Sequence, residues 1–441
     1  MILSLFLTMI NNLADAMWVS GLGADALAAI GIVTPLFIII IGLGIGLSAG
    51  VNSSVARFIG KRDMKNAGNS ATHGVVLSII VSIVIPGLIL LFLDPLLIAI
   101  GGANVLDLAH EYGVWIIAGG FTIIIQNIYC GIFRSENKGV KATLPIGVAA
   151  ALNIILDPIF IYNFGMGVSG AAIATVLANF IGLLMYLYWS YVKKDNAIDV
   201  KSYSTDMSIY RDIISVGVPA SMEQILMSLF SMVVNVILVM VATTDAVAVY
   251  TTVWRLISIG IMLPVGFGTG AISVFGALFG ARKADEIMST FNYIHKIGFA
   301  GCIAMGIILA VFSPYLALLF GGAGLTQQIT DVTIILCPYV IFASWSIISG
   351  CILQSFGRGD LSLGFTFFKQ IILTLVFIWM FLSFGEMGVY YGIVVANFVG
   401  SLIQLLFTRD YVRKIRSISD SFLKIISHIM MNYMMKILIN Y

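Results

Sequence analysis

The chain has 441 residues, of which 60% are hydrophobic and 10% charged, with a formal net charge of +2. A soluble domain carries about 25% charged residues, so this composition excludes an ordinary soluble globular protein. Apolar runs of about 20 residues, the length that crosses a bilayer, recur from end to end, and the chain reads as an all-α polytopic membrane protein.

Twelve spans fit best, near 1–20, 27–56, 70–93, 110–132, 141–162, 168–192, 210–240, 246–280, 287–312, 328–354, 361–383 and 387–408. The first is short and begins at Met1; either it lies obliquely or the natural start lies upstream. It has no basic leader, and Asn11, Asn12 and Asp15 interrupt it, so a cleaved signal peptide is not expected.

The connections near 21–26, 94–109, 163–167, 241–245, 313–327 and 384–386 contain no Lys or Arg. The alternate connections and the C-terminal segment hold 21 of the 23 basic residues, from Arg57, Lys61, Arg62 and Lys65 onward. By the positive-inside rule that face is cytoplasmic, as are both termini, and the protein is expected in the plasma membrane. Only Arg255 and Lys369 fall within spans.

An internal repeat appears at an offset of 220. Asp25-Ala26 matches Asp245-Ala246; Gly46, Gly50 and Gly60 match Gly266, Gly270 and Gly280; Arg62 matches Arg282; Ser135 and Gly139 match Ser355 and Gly359. Further on, Met166-Gly167-Val168 recurs as Met387-Gly388-Val389, and Ala178-Asn179-Phe180 as Ala396-Asn397-Phe398. Two six-span halves in one orientation are a recurring plan for transporters, with the substrate between them. We divide the chain into an N-lobe over 1–193, a linker over 194–209, a C-lobe over 210–410 and a tail over 411–441. In the tail Phe422, Ile425, Ile426, Ile429, Met430, Tyr433, Met434 and Ile437 share one helical stripe opposite polar residues. That pattern reads as an amphipathic helix on the cytoplasmic membrane surface, with packing on the bundle as the alternative. The glycine series Gly42/Gly46/Gly50 and Gly266/Gly270 reads as close helix packing.

The most informative stretch is Asn153-Ile154-Ile155-Leu156-Asp157-Pro158. Asn153 and Asp157 are four apart and share one helical face. An Asp near the bilayer centre costs about 2.5–3.5 kcal/mol on insertion scales, so such residues usually face a cavity or a partner. Pro158 leaves the Ile154 carbonyl without its helical donor; a plain Asp-Pro helix end is the bland alternative. Asp15 is the other intramembrane acid of the first half. With Asn153 and the Thr175 hydroxyl, the two acids supply hard oxygens for Na⁺, or a proton shared between neighbouring carboxylates. At the repeat offset Asp15 corresponds to Asn235, and Asp157 falls near Phe377, so the halves differ. The second half offers Glu223, Arg255 and Lys369 instead. These read either as a polar cluster sealing the inward face or, for the two cations, as side chains snorkelling to the headgroups. Cys130, Cys302, Cys337 and Cys351 have no metal or redox spacing and read as small core residues. His73, His110, His295 and His428 are dispersed, without the spacing of metal ligands.

Taken together, Asn12-Leu13-Ala14-Asp15, Gly21 through Ala29, Arg57-Phe58-Ile59-Gly60, Leu156-Asp157-Pro158-Ile159-Phe160 and Gly170 through Thr175 resemble the MATE family, the multidrug and toxic compound extrusion transporters. The resemblance covers about 1–410. It implies two pseudo-symmetric six-helix lobes forming a V, and export of amphipathic, often cationic compounds against entry of Na⁺ or H⁺. In the archaeal and DinF-like branch the first-lobe site is two Asp, one Asn and one Thr, and Asp15, Asn153, Asp157 and Thr175 fall on those positions. The NorM-type branch uses a glutamate deep in the seventh helix and an Asp in the tenth. Here Glu223 sits early in the seventh, and the tenth span has no interior acid. We therefore expect an ion-coupled antiporter, not an enzyme, acting on a small amphipathic organic substrate. It should need no cofactor beyond the coupling ion, bind no nucleic acid and work as a monomer in the bilayer. A flippase for lipid-linked precursors is the alternative, with only Arg255 and Lys369 available for phosphates. An integral-membrane enzyme is the remote one, since the outer loops carry no His/Asp/Glu cluster.

Overall fold

The structure, a computed structural model, describes residues 7, 10, 11, 14, 15, 17–199, 203–242 and 244–439, with backbone alone at 244–245, 319–323 and 418–439. The expected first span at 1–20 lies largely outside the described residues, including Asn12 and Leu13; 17–20 is helical. Among the described residues 11 helices are long and apolar enough to cross a membrane. We label them α1 (Ala24–Gly60), α2 (Met64–Leu91), α3 (Ala103–Ser135), α4 (Gly139–Asn163), α5 (Gly167–Val192) and α6 (Met207–Val241). The rest are α7 (Ala246–Gly280), α8 (Ala284–Leu318), α9 (Gly324–Ser355), α10 (Gly359–Phe384) and α11 (Glu386–Ser417). A short helix, Leu93–Ala99, occupies part of the expected 94–109 connection. Between α8 and α9 the backbone stays helical throughout Ala284–Ser355, so the expected loop at 313–327 is absent. The α11 backbone likewise continues to Ile439, and the tail's apolar stripe lies among residues described by backbone alone.

The repeat is written into the backbone of the basic-loop turns. Arg62 (φ 60°) and Arg282 (φ 56°) both sit in the left-handed region, 220 residues apart, as do Asn137 (φ 59°) and Gly357 (φ 80°). Each closes its helix with the same pair of bonds: Arg62 N–H to the Ile59 carbonyl and Asp63 N–H to Phe58, then Arg282 to Phe279 and Lys283 to Leu278. This Schellman-type stop satisfies carbonyls that the helix end would otherwise leave open. Two unrelated bundles would have no reason to share it at a constant offset.

Among the described residues four buried apolar clusters form the core, and each belongs to one half apart from Ile198, Ile209 and Ile213, which join a first-half cluster. The first half packs around Val33, Ile117 and Ala172 and around Val51, Phe133 and Tyr186; the second packs around Tyr250, Leu336 and Ile393 and around Phe275 and Ile352.

The halves meet along α1, α6 and α7, toward the basic-loop face. A Cβ on Gly46 would strike Ser221, one on Gly50 the Ile213 carbonyl, so the α1 glycines do pack closely. Gly270, by contrast, has nothing within 4 Å and contributes no such contact. At the helix ends the seam is reciprocal: a Cβ on Gly60 would strike the Ala277 carbonyl, and one on Gly280 the Arg57 carbonyl. Arg57 and Ala277 are themselves 220 apart, so the pseudo-symmetry axis passes through this contact. Polar bonds reinforce it. Ser273 Oγ donates to Asn52 Oδ1 (2.9 Å), Ser53 Oγ to the Gln354 carbonyl (2.7 Å), and Arg57 Nη2 to both Asp212 oxygens (2.9 and 2.8 Å).

The linker is strapped to α2. Asn69 donates to the Ser204 carbonyl (3.0 Å) and accepts from the Ser204 N–H (2.9 Å), while His73 Nε2 accepts from the Asp206 N–H (3.1 Å). Asp206 caps α6, accepting from the Ser208 hydroxyl and N–H, and those bonds hold its carboxyl below the usual carboxylate range.

A candidate cation site in the first half

α4 carries the key pair one turn apart. Asn153 is 2% exposed and Asp157 0%, so neither reaches bulk water. Asn153 Nδ2 donates to Asp157 Oδ1 (2.7 Å) and lies 3.3 Å from Thr175 Oγ1 on α5, which it also approaches as donor. Asn179, one turn after Thr175, donates to the Thr175 carbonyl (2.8 Å) and steadies that turn. The helix does not stop at Pro158. It passes into a π-helical turn, Ile159–Asn163, closed by the Phe164 N–H on the Ile159 carbonyl. Proline removes the donor that a regular α-turn would need there, and a wider turn accommodates the loss. The bland reading of Asp157 as a helix-end cap is therefore set aside: its side chain bonds Asn153 inside the bundle.

Asp15 is partly buried and acts electrostatically on Asp157, and both carboxylates act on the hydroxyl of Tyr112, a buried residue of α3. The segment bearing Asp15 is held against the π turn by Tyr162, whose hydroxyl donates to the Trp18 carbonyl. The Trp18 and Tyr162 rings also meet edge to face, 6.4 Å between centroids. The structure thus brings Asn153, Asp157 and Thr175 into one hydrogen-bonded group, with Asp15 in electrostatic reach of Asp157. It adds Tyr112, Tyr162 and Asn179, which sequence reasoning did not nominate. The two tyrosines are indistinguishable in sequence from ordinary membrane aromatics. Asn179 did carry a signal, the repeated Ala-Asn-Phe, whose second copy places Asn397 Nδ2 on the Tyr339 carbonyl (2.8 Å).

Two oxygens in the site, Asn153 Oδ1 and Asp157 Oδ2, are buried without a hydrogen-bond partner. Buried polar atoms are rarely left so, because desolvation without a bond costs about 1–3 kcal/mol. Both are acceptors, so the group that would complete them is a cation or a proton donor. Among the described residues no group of three His, Cys, Asp or Glu side chains could hold a transition metal.

The second half is built differently. Glu223 on α6 is contacted by Gln354 Nε2 (3.3 and 3.4 Å), which also reaches Ser362 Oγ (3.3 Å). Lys369 lies in a π-helical turn of α10, Phe368–Leu373; it is 7% exposed and donates to Ser346 Oγ (2.7 Å). Its stem packs on Gly400 of α11. Glu223 and Lys369 interact electrostatically without forming a direct ion pair. Lys369 therefore does not snorkel: it is held inside the lobe, where its charge faces Glu223. Arg255 is exposed on α7, is in no ion pair among the described residues, and stands apart from this cluster.

The eleven apolar helices among the described residues, in two repeated halves joined at one face and holding buried charges within each half, define a multi-pass membrane transporter. The chain belongs to the MatE family, whose model matches residues 1–159 and 219–380. Among curated relatives, the multidrug export protein MepA of Staphylococcus aureus (strain NCTC 8325 / PS 47) is 22% identical over 382 residues, 86% of this chain and 84% of its own. The FAD transporter of Shewanella oneidensis is 27% identical over 321 residues, 70% of each chain. Among solved structures, MATE in the straight conformation superposes with a TM-score of 0.92 at 33% identity over 95% of both chains. An outward-facing multidrug resistance MATE family transporter gives 0.92 at 33% identity, over 95% of this chain and 94% of that one. The protein is a MATE-type efflux transporter rather than an enzyme, and members of that family work without a prosthetic cofactor.

Proposed function

We propose that the protein is a secondary antiporter that exports small amphipathic, cationic compounds in exchange for Na⁺ or H⁺, working as a monomer with its basic-loop face toward the cytoplasm. The coupling ion binds at Asp15, Asn153, Asp157 and Thr175. The observation that carries this reading is the pair of partnerless buried oxygens on Asn153 and Asp157, in electrostatic reach of a second carboxylate. A ligand moves a two-state transporter only through differential affinity, and going from 1:99 to 99:1 takes about 5.5 kcal/mol. Neutral interhelical bonds average about 0.6 kcal/mol, too little for Asn153 and Thr175 alone. A buried carboxylate that gains or loses its counter-charge is the group in this half with that capacity. The closed seam at the basic-loop face fits a state open to the other side, from which an ion enters the first half.

The test is Asp157→Asn, which keeps the shape and removes the charge. We expect gradient-driven export in proteoliposomes to be abolished under imposed Na⁺ and H⁺ gradients, tested separately, while folding by size exclusion and substrate binding persist. Export at the wild-type rate by a well-expressed variant overturns the assignment. Asp15→Asn should behave alike if the two acids form one site.

A further inference from the structure

Asn153 Oδ1 and Asp157 Oδ2 are joined by a third buried oxygen without a hydrogen-bond partner, Asn11 Oδ1. Asn11 and Asp15 are four residues apart, the same spacing as Asn153 and Asp157. Each helix therefore carries an amide and an acid on one face, one turn apart. The segment bearing Asn11 and Asp15 runs beside α4 in the same direction. At one end a Cβ on Gly147 would come within 3.3 Å of Leu7 Cδ1; at the other the Tyr162 hydroxyl donates to the Trp18 carbonyl. Counting about 1.5 Å of rise per residue from either contact sets Asn11 within about 3 Å of the level of Asn153, and Asp15 within about 3 Å of the level of Asp157. Asp15 acts on Asp157, so the face that bears Asn11 is the one turned toward α4. Among the described residues no Lys, Arg or His side chain acts on either acid.

The third oxygen discriminates between the two coupling ions. A proton on Asp157 Oδ2 turns that atom into a donor. One bond from it to Asn153 Oδ1, beside the existing bond from Asn153 Nδ2 to Asp157 Oδ1, closes an acid–amide ring and leaves Asn11 Oδ1 unserved. A hard cation takes several oxygens at once. With Asn11, two amide oxygens and two carboxylates converge from two helices, with the Thr175 hydroxyl beside Asn153. That is an all-oxygen set with enough negative charge to offset the desolvation of one monovalent ion.

We propose that Asn11 is a further ligand of the coupling cation, and that the paired Asn-Asp turns make Na⁺, not the proton, the ion bound in the first half. This rests on the first-half coupling site proposed above and adds to it one residue and the identity of the ion.

The experiment is thermal unfolding of the purified full-length chain in detergent at alkaline pH, with NaCl titrated against KCl at constant total salt. An ion that binds the folded state raises the melting midpoint. We expect a saturable rise with Na⁺ for wild type, a rise that needs about tenfold more Na⁺ for Asn11→Leu and Asn11→Ala, and none for Asp157→Asn. Asn235→Leu removes an amide of the second half whose oxygen is likewise open, and it should respond as wild type does. A Na⁺ response lost in Asp157→Asn but unaltered in both Asn11 variants keeps the coupling site and overturns the role of Asn11. Equal weakening in Asn235→Leu is a general loss of packing and overturns that role too. No Na⁺ response in wild type overturns the choice of ion; export driven by an imposed H⁺ gradient and abolished by Asp157→Asn then leaves the coupling site standing. A Na⁺ response that persists in Asp157→Asn overturns both readings. Asn11→Ala decides the matter if Asn11→Leu melts abnormally in KCl alone.

Discussion

At the scale of single residues, the two halves handle buried charge in opposite ways. Asp157 has one oxygen bonded and one open, whereas both Glu223 oxygens are contacted by Gln354 Nε2 and the carboxylate lies in electrostatic reach of Lys369. A carboxylate with both oxygens contacted and a lysine in electrostatic reach gains less from an external cation than one with an open oxygen, which is why we place coupling in the first half. The prediction is that Glu223→Gln lowers thermal stability, by about 1–3 kcal/mol, because Lys369 is left buried without its counter-charge. Gradient-driven export per folded molecule should remain close to wild type. Adding Lys369→Met should recover much of the lost stability, since removing both charges is milder than removing one. Loss of export comparable to that of Asp157→Asn would move the coupling site to the second half.

Elements are shaped here by what replaces the regular α-turn and by what the glycines let through. The π turns at 159–163 and 368–373 lie immediately beside Asp157 and around Lys369, so the irregular backbone coincides with buried charge in both halves. π-turns occur often at functional sites. The ends of α1 and α7 touch backbone to backbone through Gly60 and Gly280. A methyl group there must displace a carbonyl of the neighbouring helix, not a flexible side chain. We expect Gly60→Ala or Gly280→Ala to cost about 1–3 kcal/mol in detergent melts, as overpacking does elsewhere. Gly270→Ala, with open space around it, should leave the melt unchanged. Equal melts for all three variants would show that the seam is looser than described.

For the whole molecule, the alternation of basic and non-basic connections fixes one face, and the inter-half bonds gather toward the same face. Asn52–Ser273, Ser53–Gln354 and Arg57–Asp212 all lie on the part of α1 that leads to the basic turn at 61–63. The sidedness is testable by labelling, because three of the four native cysteines are buried and Cys351 is half-buried. A membrane-impermeant thiol reagent applied outside intact cells should modify cysteines placed at Asn104 and Glu386 but not at Lys65 or Lys283. Modification of all four from one side would sink the topology.

Composition, span length, charge alternation and the 220-residue offset determined by themselves that this is a two-half helical membrane protein, because bilayer thickness and backbone hydrogen bonding leave the chain little choice. The spacing of Asn153 and Asp157 likewise gave their shared face, since four residues is about one helical turn. Tertiary structure decided what no local pattern encodes. Thr175 reaches Asn153 only because α5 folds back on α4, and Tyr112 joins the two acids from another helix altogether. Lys369 looked free to snorkel, yet Ser346 and the packing of α11 hold it inside. Arg57 read as one of many loop cations until Asp212, 155 residues away, was seen to accept from it across the seam. Each of these depends on which helices become neighbours. Side-chain periodicity names the face that a residue occupies, and only packing names what that face meets.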